Sequence, residues 1–179
     1  MDTVADIYMW FMSELEENAF AEPDDPTVHN RLVDMYHAAT DKDSQERIAN
    51  NIVDPSSSLR CLVATVAFGL GINLPDVEEV IHWGPTGDIM SFWQEVGRCA
   101  RDGRQGRGTL FLYPRSVDKR RVDETMRKLL SNVKHSEICF RKGILEHLYL
   151  PEMDRAMFDK ALQNQRCCCV CVRSQDQIQ

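Results

Sequence analysis

The stretch LRCLVATVAFG, residues 59–69, constrains the fold of this chain more than any other. It is an apolar run rich in β-branched side chains, and the glycine turn GLGIN follows it directly. An apolar run that does not alternate with polar residues is typical of a strand buried on both faces of a parallel sheet. Such a strand needs covering layers on both sides, so the stretch predicts an α/β protein.

Three further segments are predicted strands, and helices alternate with them. The strands are RLVDMYHA (31–38), VEEVIHWG (77–84) and GTLFLYP (108–114). Helical patterns occupy TDKDSQERIANNIV (40–53), capped by Thr40 or Asp41, and DIMSFWQEVGRCAR (88–101). Strands separated by helices imply crossover connections, and we therefore predict a mostly parallel sheet flanked by helices.

Helical patterns also occupy both ends of the chain. TVADIYMWFMSELEEN (3–18) predicts an amphipathic helix. Beyond Pro114 the strands give way to three helical segments, SVDKRRVDETMRKLLSNV, EICFRKGILEHLYL and DRAMFDKALQNQ. We therefore expect an α/β domain over residues 1–117 and a small helical annex over residues 118–179.

Composition limits the classes of protein that this chain can belong to. Of its 179 residues 43% are hydrophobic and 27% charged, as in ordinary globular proteins. No apolar run reaches the roughly 18 residues that cross a bilayer, so we expect no membrane partner. The acidic N-terminus favours an intracellular protein rather than a secreted one. In a reducing compartment the seven cysteines point to metal binding more than to disulfides.

The net charge of −7 hides a basic segment. Residues 98–128 hold ten bases and four acids. Arg98 and Arg101, three apart, would share one face of the predicted helix with Gln94, and the guanidinium fork fits phosphate oxygens. The alternative interpretation is a solvated basic helix end that offsets the helix dipole.

Gly69 and Gly71 follow the buried strand at its carboxyl end, where ligands gather in parallel α/β sheets. Glycines there leave backbone amides free to meet phosphate or ribose oxygens. A tight turn between strand and helix would have the same sequence, so both interpretations stay open.

Three of these segments together resemble the RecQ-like DNA helicases of superfamily 2. QEVGRCARDG is similar to motif VI of that family, ATVAFGLGINLPDVEEVIH to motif V, and MYHAATDKDSQERI to the region of motif IV. The resemblance runs from about Thr3 to Cys171. It implies the second RecA-like lobe of a two-lobe ATP-dependent 3′–5′ DNA helicase, found in the nucleus or another compartment that contains DNA.

The resemblance also implies roles for single residues. Arg101 would be the arginine finger on the γ-phosphate of ATP, Arg98 would support the phosphates, and Gln94 would sense the nucleotide. The remaining nucleotide contacts would come from motif V and from the motif VI glycine: Gly69, Gly71, Asn73 and Gly97. Asn73 replaces the family's ribose-contacting aspartate, and Ala100 replaces a glycine between the two arginines.

The sequence contains no G-x-x-x-x-G-K-[ST] loop and no D-E-x-H pair to hold ATP with Mg²⁺. The family's first strand of this lobe would also precede Thr3. We therefore expect the 179 residues to need an N-terminal RecA-like lobe as partner and to be inactive alone. The alternative is a non-catalytic module, derived from such a helicase, that binds DNA or protein.

The resemblance places His37 and Thr65 near the DNA backbone, where neutral groups position a strand without reading its sequence. His37 alone could equally be a structural histidine. Arg104, Arg107 and the RSVDKRR stretch are further candidates for DNA phosphates, because each cation that neutralises a phosphate releases counterions.

The cysteine-rich end resembles the zinc-binding subdomain of the same helicases. Cys168 and Cys171 form a C-x-x-C knuckle, and Cys139 matches the distant first ligand. Gln165 stands where the family has its other ligand, so Cys167 or Cys169 would have to substitute, and His135 is an outside candidate. We predict zinc on Cys139, Cys167, Cys168 and Cys171. An unmetallated, oxidation-prone thiol cluster is the alternative.

Overall fold

A computed structural model describes residues 3–65, 77–101, 103–135, 138–161 and 167–171. The described elements follow the predicted alternation of helices and strands. In chain order they are α1 Thr3–Leu15, a 3₁₀ turn Glu16–Ala19, β1 Val33–Tyr36, α2 Lys42–Val53, β2 Cys61–Ala64, β3 Glu79–Trp83, α3 Ile89–Val96, β4 Arg107–Phe111, α4 Glu124–Lys134, α5 Phe140–Leu148 and α6 Arg155–Ala161. The chain divides into two compact units, described here one by one: Met1–Val77 with Arg98–Gln105, and Glu78–Gly97 with Gly106–Gln179.

The first unit is built on the parallel pair β1–β2. Val33 pairs with Cys61 at one end of the ladder, and Tyr36 pairs with Ala64 at the other. Helices α1 and α2 pack against β1. The buried side chain of Ile48 on α2 meets Leu59 to form a small core. Because this core excludes water on the side of α2, burial of its apolar side chains stabilises the crossover from β1 to β2.

The second unit is built on the parallel pair β3–β4, whose register runs from Glu79–Arg107 to Trp83–Phe111. Its core joins side chains of three helices and one loop: Ile89 and Phe92 of α3, Val122, Met126, Leu129 and Leu130 around α4, and Ile144 of α5. Gly108 allows α3 to pack close to β4, since a Cβ there would lie 2.8 Å from Cγ1 of Val96. The unit therefore depends on contacts between segments far apart in sequence.

Aspartates begin three of the helices by capping free backbone amides. Asp41 accepts a hydrogen bond from the Ser44 amide at 2.9 Å, which selects Asp41 over Thr40 as the cap of α2. Asp88 accepts from Ser91 and Asp123 accepts from Met126, at 2.8 Å and 2.7 Å. Each cap satisfies an N–H group that has no partner within its helix, which contributes about 1 kcal/mol.

The predicted α/β class and the parallel pairing are confirmed. Two predicted helices are wrong in extent. The helix predicted for residues 88–101 ends at Val96. The helix predicted from Ser116 begins only at Glu124, because Asp118 first holds a local turn by accepting from the amides of Arg121 and Val122.

The predicted boundary near residue 117 stays a prediction. Helix α3, from the predicted α/β domain, shares its core with α4 and α5 from the predicted annex. Among the described residues there is no helix both long enough and apolar enough to span a bilayer.

Candidate functional site

The segment that carries the predicted nucleotide-contacting residues is a helix followed by turns. Gln94 lies exposed on α3, and the Gly97 amide closes the helix by donating to the Trp93 carbonyl at 2.8 Å. Arg98 and Arg101 lie in the turns that follow, Arg98 half-buried and Arg101 exposed. The prediction that both arginines share a helix face with Gln94 is therefore wrong, because the helix stops before reaching them.

Ala100 shapes this turn. Its φ of 57° lies in the left-handed region, where an L side chain is strained and glycine is not. Its amide donates to the Val77 carbonyl at 2.9 Å, and its carbonyl accepts from Gly103 at 3.2 Å. These hydrogen bonds hold the turn in the first unit, to which Arg98 and Arg101 belong, whereas Gln94 and Gly97 belong to the second unit.

Ala100→Gly is expected to raise the free energy of unfolding by about 0.5–1 kcal/mol. The substitution removes a left-handed strain of about 1–2 kcal/mol, and the greater freedom of glycine in the unfolded chain offsets part of that gain. Urea denaturation followed by circular dichroism measures the change. Ala49→Gly, in the interior of helix α2, is the matched control and is expected to destabilise by about 1 kcal/mol. Destabilisation of similar size by both substitutions would contradict the strained-turn interpretation.

His37 and Thr65 lie at the same edge of the β1–β2 pair, immediately after the two strands end. The Thr65 amide donates to the Tyr36 carbonyl at 3.1 Å. The His37 amide donates to the Thr40 hydroxyl at 3.0 Å, and its ring Nδ1 accepts from the Ala39 amide at 3.1 Å. The structure therefore brings these two predicted DNA contacts together, while one ring nitrogen of His37 has a local structural role.

An open cleft of about 430 Å³ lies beside this edge, and His37 lines it. It also contains a charged pair that the sequence analysis missed. The buried carboxylate of Asp34 lies 2.8 Å from Nη1 of Arg47 and 4.0 Å from Nη1 of Arg31. A buried carboxylate without a partner would destabilise the folded state, so these guanidinium groups stabilise the fold by pairing with Asp34. The signal in the sequence was a lone acid inside the apolar strand LVDMY.

The other sequence-predicted residues are dispersed. Arg104 is exposed in the first unit. Arg107 is exposed at the amino end of β4, where its register partner is Glu79. Gly69, Gly71 and Asn73 lie outside the described residues.

A second missed pair lies inside the second unit. The buried His82 ring on β3 contacts Glu95 on α3, with 2.8 Å between Nε2 and Oε2. The pair ties the strand to the helix that carries Gln94. An alternating strand pattern with a histidine at an inward position was the only hint in the sequence.

The C-terminal thiols converge on one point. The side chains of Cys139, Cys167, Cys168 and Cys171 place their Sγ atoms within 4.8 Å of one another. Individual Sγ–Sγ distances are 3.3 Å for Cys139–Cys167, 3.7 Å for Cys139–Cys168, 3.7 Å for Cys167–Cys171 and 3.8 Å for Cys168–Cys171. Four thiolates around zinc, with Zn–S bonds of about 2.3 Å, lie about 3.8 Å apart, so the donors fit a tetrahedral metal.

The backbone explains how two adjacent cysteines reach one point. The chain bends at Cys168 and enters a helical turn over residues 169–171. Cys169 is exposed and lies outside this group of thiols, as does His135, so the structure places Cys167 rather than Cys169 beside the other three sulfurs. Cys139 caps α5, and its sulfur accepts from the Lys142 amide at 3.5 Å.

The surroundings of Cys167 and Cys168 shift the pKa values of these two thiols in opposite directions. Burial alone would raise the pKa of Cys168, but backbone amides of Cys171, Phe140 and Val170 donate to its sulfur and hold the pKa below the ordinary value. Burial raises the pKa of Cys167 well above its ordinary value, and the hydrogen bonds that its neutral thiol shares with Cys139 and Cys171 act in the same direction. The surroundings of Cys168 thus favour the thiolate, the form of the side chain that binds a metal.

Residues 6–103, more than half of the chain, match the helicase conserved C-terminal domain. The chain belongs to this family. Its RecQ-like character is equally clear from curated relatives. The mouse (Mus musculus) bifunctional 3′-5′ exonuclease/ATP-dependent helicase WRN is 34% identical over 149 residues, which cover 76% of this chain and 10% of that protein.

Two other relatives of this helicase domain agree with that assignment. The ATP-dependent DNA helicase Q-like 2 of Arabidopsis thaliana is 32% identical over 68% of this chain and 18% of its own length. The human (Homo sapiens) ATP-dependent DNA helicase Q4 is 38% identical over 50% of this chain and 7% of its own length. The chain thus spans less than a fifth of each of these relatives, and it is a C-terminal helicase domain related to the RecQ type.

Proposed function

We propose that this chain is the C-terminal motor lobe of a RecQ-like DNA helicase that uses ATP hydrolysis to unwind DNA in the 3′–5′ direction. The observation that carries the proposal is the match of residues 6–103 to the helicase C-terminal domain. The position of Arg101, exposed in the turn after α3, is compatible with a side chain that reaches a nucleotide held by another lobe.

The chemistry of the proposed site is charge stabilisation on a transferring phosphoryl group. The fork of the Arg101 guanidinium would donate to γ-phosphate oxygens as charge develops on them, and Arg98 would support the phosphates. The 179 residues contain no loop of the G-x-x-x-x-G-K-[ST] type, so we propose that an N-terminal RecA-like lobe holds ATP and Mg²⁺. This chain would supply the finger, and it would be inactive without that lobe.

We further propose that DNA passes the edge formed by His37 and Thr65. The Thr65 hydroxyl makes no hydrogen bond within the described residues, so its donor and acceptor are unused there. Its oxygen is buried, so binding of DNA would have to expose it before it could contact a backbone phosphate. Such contacts position a strand without reading its sequence. The protein would be located in the nucleus or in another compartment that contains DNA.

Zinc is the metal that we propose for Cys139, Cys167, Cys168 and Cys171. An all-sulfur tetrahedron suits zinc, which in closed sites of this kind is structural rather than catalytic. Held by these residues, the ion would join the start of α5 to the helical turn over residues 169–171.

Reconstitution tests the motor proposal. The chain is mixed with a separately expressed RecA-like lobe that carries the phosphate loop, and ATP hydrolysis is measured with and without DNA. We expect hydrolysis that requires both proteins and rises when DNA is added. Hydrolysis by the first lobe at the same rate without this chain would contradict the proposal.

A non-catalytic module is the second candidate, since the 179 residues themselves contain no G-x-x-x-x-G-K-[ST] loop. A module of this kind would bind DNA or a protein but would leave the ATPase rate of any first lobe unchanged. The reconstitution experiment therefore separates the two candidates.

A further inference from the structure

Three aromatic side chains lie exposed together at the carboxyl end of β3 and β4. Trp83, Phe111 and Tyr113, here called the aromatic platform, are 56%, 48% and 43% exposed. The Trp83 ring centroid lies 5.8 Å from that of Phe111 and 5.9 Å from that of Tyr113, and the Trp83 and Tyr113 planes differ by 26°. A contiguous apolar cluster that faces water is unfavourable unless something binds to it.

The backbone holds the aromatic platform in place. Trp83 and Phe111 are register partners in the sheet, and the Gly84 amide donates to the Phe111 carbonyl at 2.9 Å. The Tyr113 amide donates to the Ser116 hydroxyl at 3.2 Å, and its carbonyl accepts from the Ser116 amide at 3.0 Å. Gly84, at φ 94°, lets the chain pass within van der Waals reach of the Tyr113 ring. The backbone that carries the rings is therefore fixed before any ligand arrives, which lowers the entropy cost of binding.

A basic segment, residues 115–121, follows the aromatic platform directly. Its four cations are all exposed: Arg115, Lys119, Arg120 and Arg121. The single acid within the segment, Asp118, turns its carboxylate to the Arg120 amide at 2.8 Å. The positive charge of the segment thus faces solvent, while its negative charge is partly engaged by the backbone.

The fold keeps the basic segment close to the rings. Just beyond the segment, the Asp123 amide donates to the Gly87 carbonyl at 2.8 Å. Gly87 is three residues from Gly84, so the two lie at most about 11 Å apart. Tyr113, at the other end, is two residues from Arg115. The basic segment therefore lies near the aromatic platform within the second unit.

We propose that the aromatic platform and the basic segment bind single-stranded DNA. Unpaired bases would stack on the exposed rings, while the cations of the segment would neutralise the phosphates between them. A duplex hides the faces of its bases, so the rings favour a single strand. The cations favour a polyanion over an apolar protein segment. The inference rests on the proposed action on DNA. It joins the aromatic platform to the RSVDKRR stretch, already a candidate for DNA phosphates, in a surface distinct from His37, Thr65, Arg104 and Arg107.

Equilibrium binding of a fluorescein-labelled oligothymidylate of about 12 nucleotides tests the inference. The whole 179-residue chain is used without ATP or a first lobe, and fluorescence anisotropy is recorded. Trp83→Ala is expected to weaken binding about 5- to 150-fold, the loss typical of one stacked base. Trp83→Phe keeps a stacking ring and should stay within about threefold of the wild type. Trp10→Ala removes an equally exposed tryptophan on α1 and should change nothing.

A second set of variants tests the cations. Arg120→Gln and Lys119→Gln should each lower the slope of log affinity against log salt concentration by about 0.7. Tyr113→Ala should weaken binding to a similar extent as Trp83→Ala. Circular dichroism shows whether each variant is folded. If Trp83→Ala does not fold, Tyr113→Ala takes its place in the test.

The inference is overturned if both Trp83→Ala and Tyr113→Ala bind within twofold of the wild type, or if the wild type does not bind the oligothymidylate. Tighter binding of an oligouridylate would overturn the assignment to DNA. Failure of the reconstituted ATPase, together with binding that depends on Trp83, would contradict the motor proposal and support the platform. The motor proposal and the proposal of a single-stranded DNA surface can therefore be contradicted independently.

Discussion

Arg101→Ala is expected to lower DNA-stimulated ATP hydrolysis by at least about 1,000-fold when the chain is combined with a first lobe. The guanidinium group would act mainly on charge that develops in the transition state, so the effect should appear in kcat. Binding of ATP to the ground state should change much less. Steady-state ATPase rates, together with equilibrium binding of a fluorescent ATP analogue, measure both quantities.

Two variants control this prediction. Arg101→Lys keeps the charge but loses the planar fork, and we expect it to recover only a small part of the rate. Arg60→Ala removes another exposed arginine of the same unit, one that precedes β2 and whose guanidinium donates to the carbonyl of Ser57. It should leave the rate within about twofold. An Arg101→Ala variant as active as Arg60→Ala would show that Arg101 is not the finger.

Cys168→Ser is expected to reduce the metal content from about one zinc per chain to almost none. A serine hydroxyl is a poor ligand for zinc, and the three remaining thiols cannot close the tetrahedron. Structural zinc in small domains contributes apparent binding free energies of about 10–16 kcal/mol, so the local fold would depend on the proposed ion. Loss of the ion should release residues 167–171 from the start of α5. Mass spectrometry of the metal and protection of backbone amides from hydrogen exchange measure the two effects.

Cys169→Ser is the matched control for the metal site. Cys169 directly follows Cys168, yet it is exposed and lies outside the four converging thiols, so the variant should keep its zinc. If the wild type contained no zinc and all its thiols titrated freely in the folded protein, the alternative of an unmetallated thiol cluster would be correct.

The sequence patterns predicted some parts of this protein well because those parts depend on local physics. The apolar run before Gly69 and the periodicity of residues 40–53 indicated a strand and a helix, and the structure has β2 and α2 there. The cap of α2 was narrowed to Thr40 or Asp41, because a side-chain oxygen close in sequence to the first amides of a helix is a local arrangement. The C-x-x-C spacing of Cys168 and Cys171 pointed to a metal for the same reason.

The end of α3 and the exposure of Trp83 could not be read in this way. Helical periodicity continued to Arg101, but Ala100 adopts a left-handed conformation because its amide donates to Val77, more than twenty residues away in sequence. Similarly, the alternation of apolar residues along β3 does not predict whether the face that carries Trp83 is covered, because that depends on which segments pack over it.

Residue order alone therefore indicated the α/β class, the parallel strands and the resemblance to RecQ-like helicases, because each rests on short-range patterns and on the order and spacing of motifs. Tertiary packing decided where α3 ends, that Cys167 rather than Cys169 joins the thiol group, and that three aromatic rings meet beside a basic segment. These outcomes depend on contacts between residues distant in sequence, and such contacts leave no periodic signal in the chain.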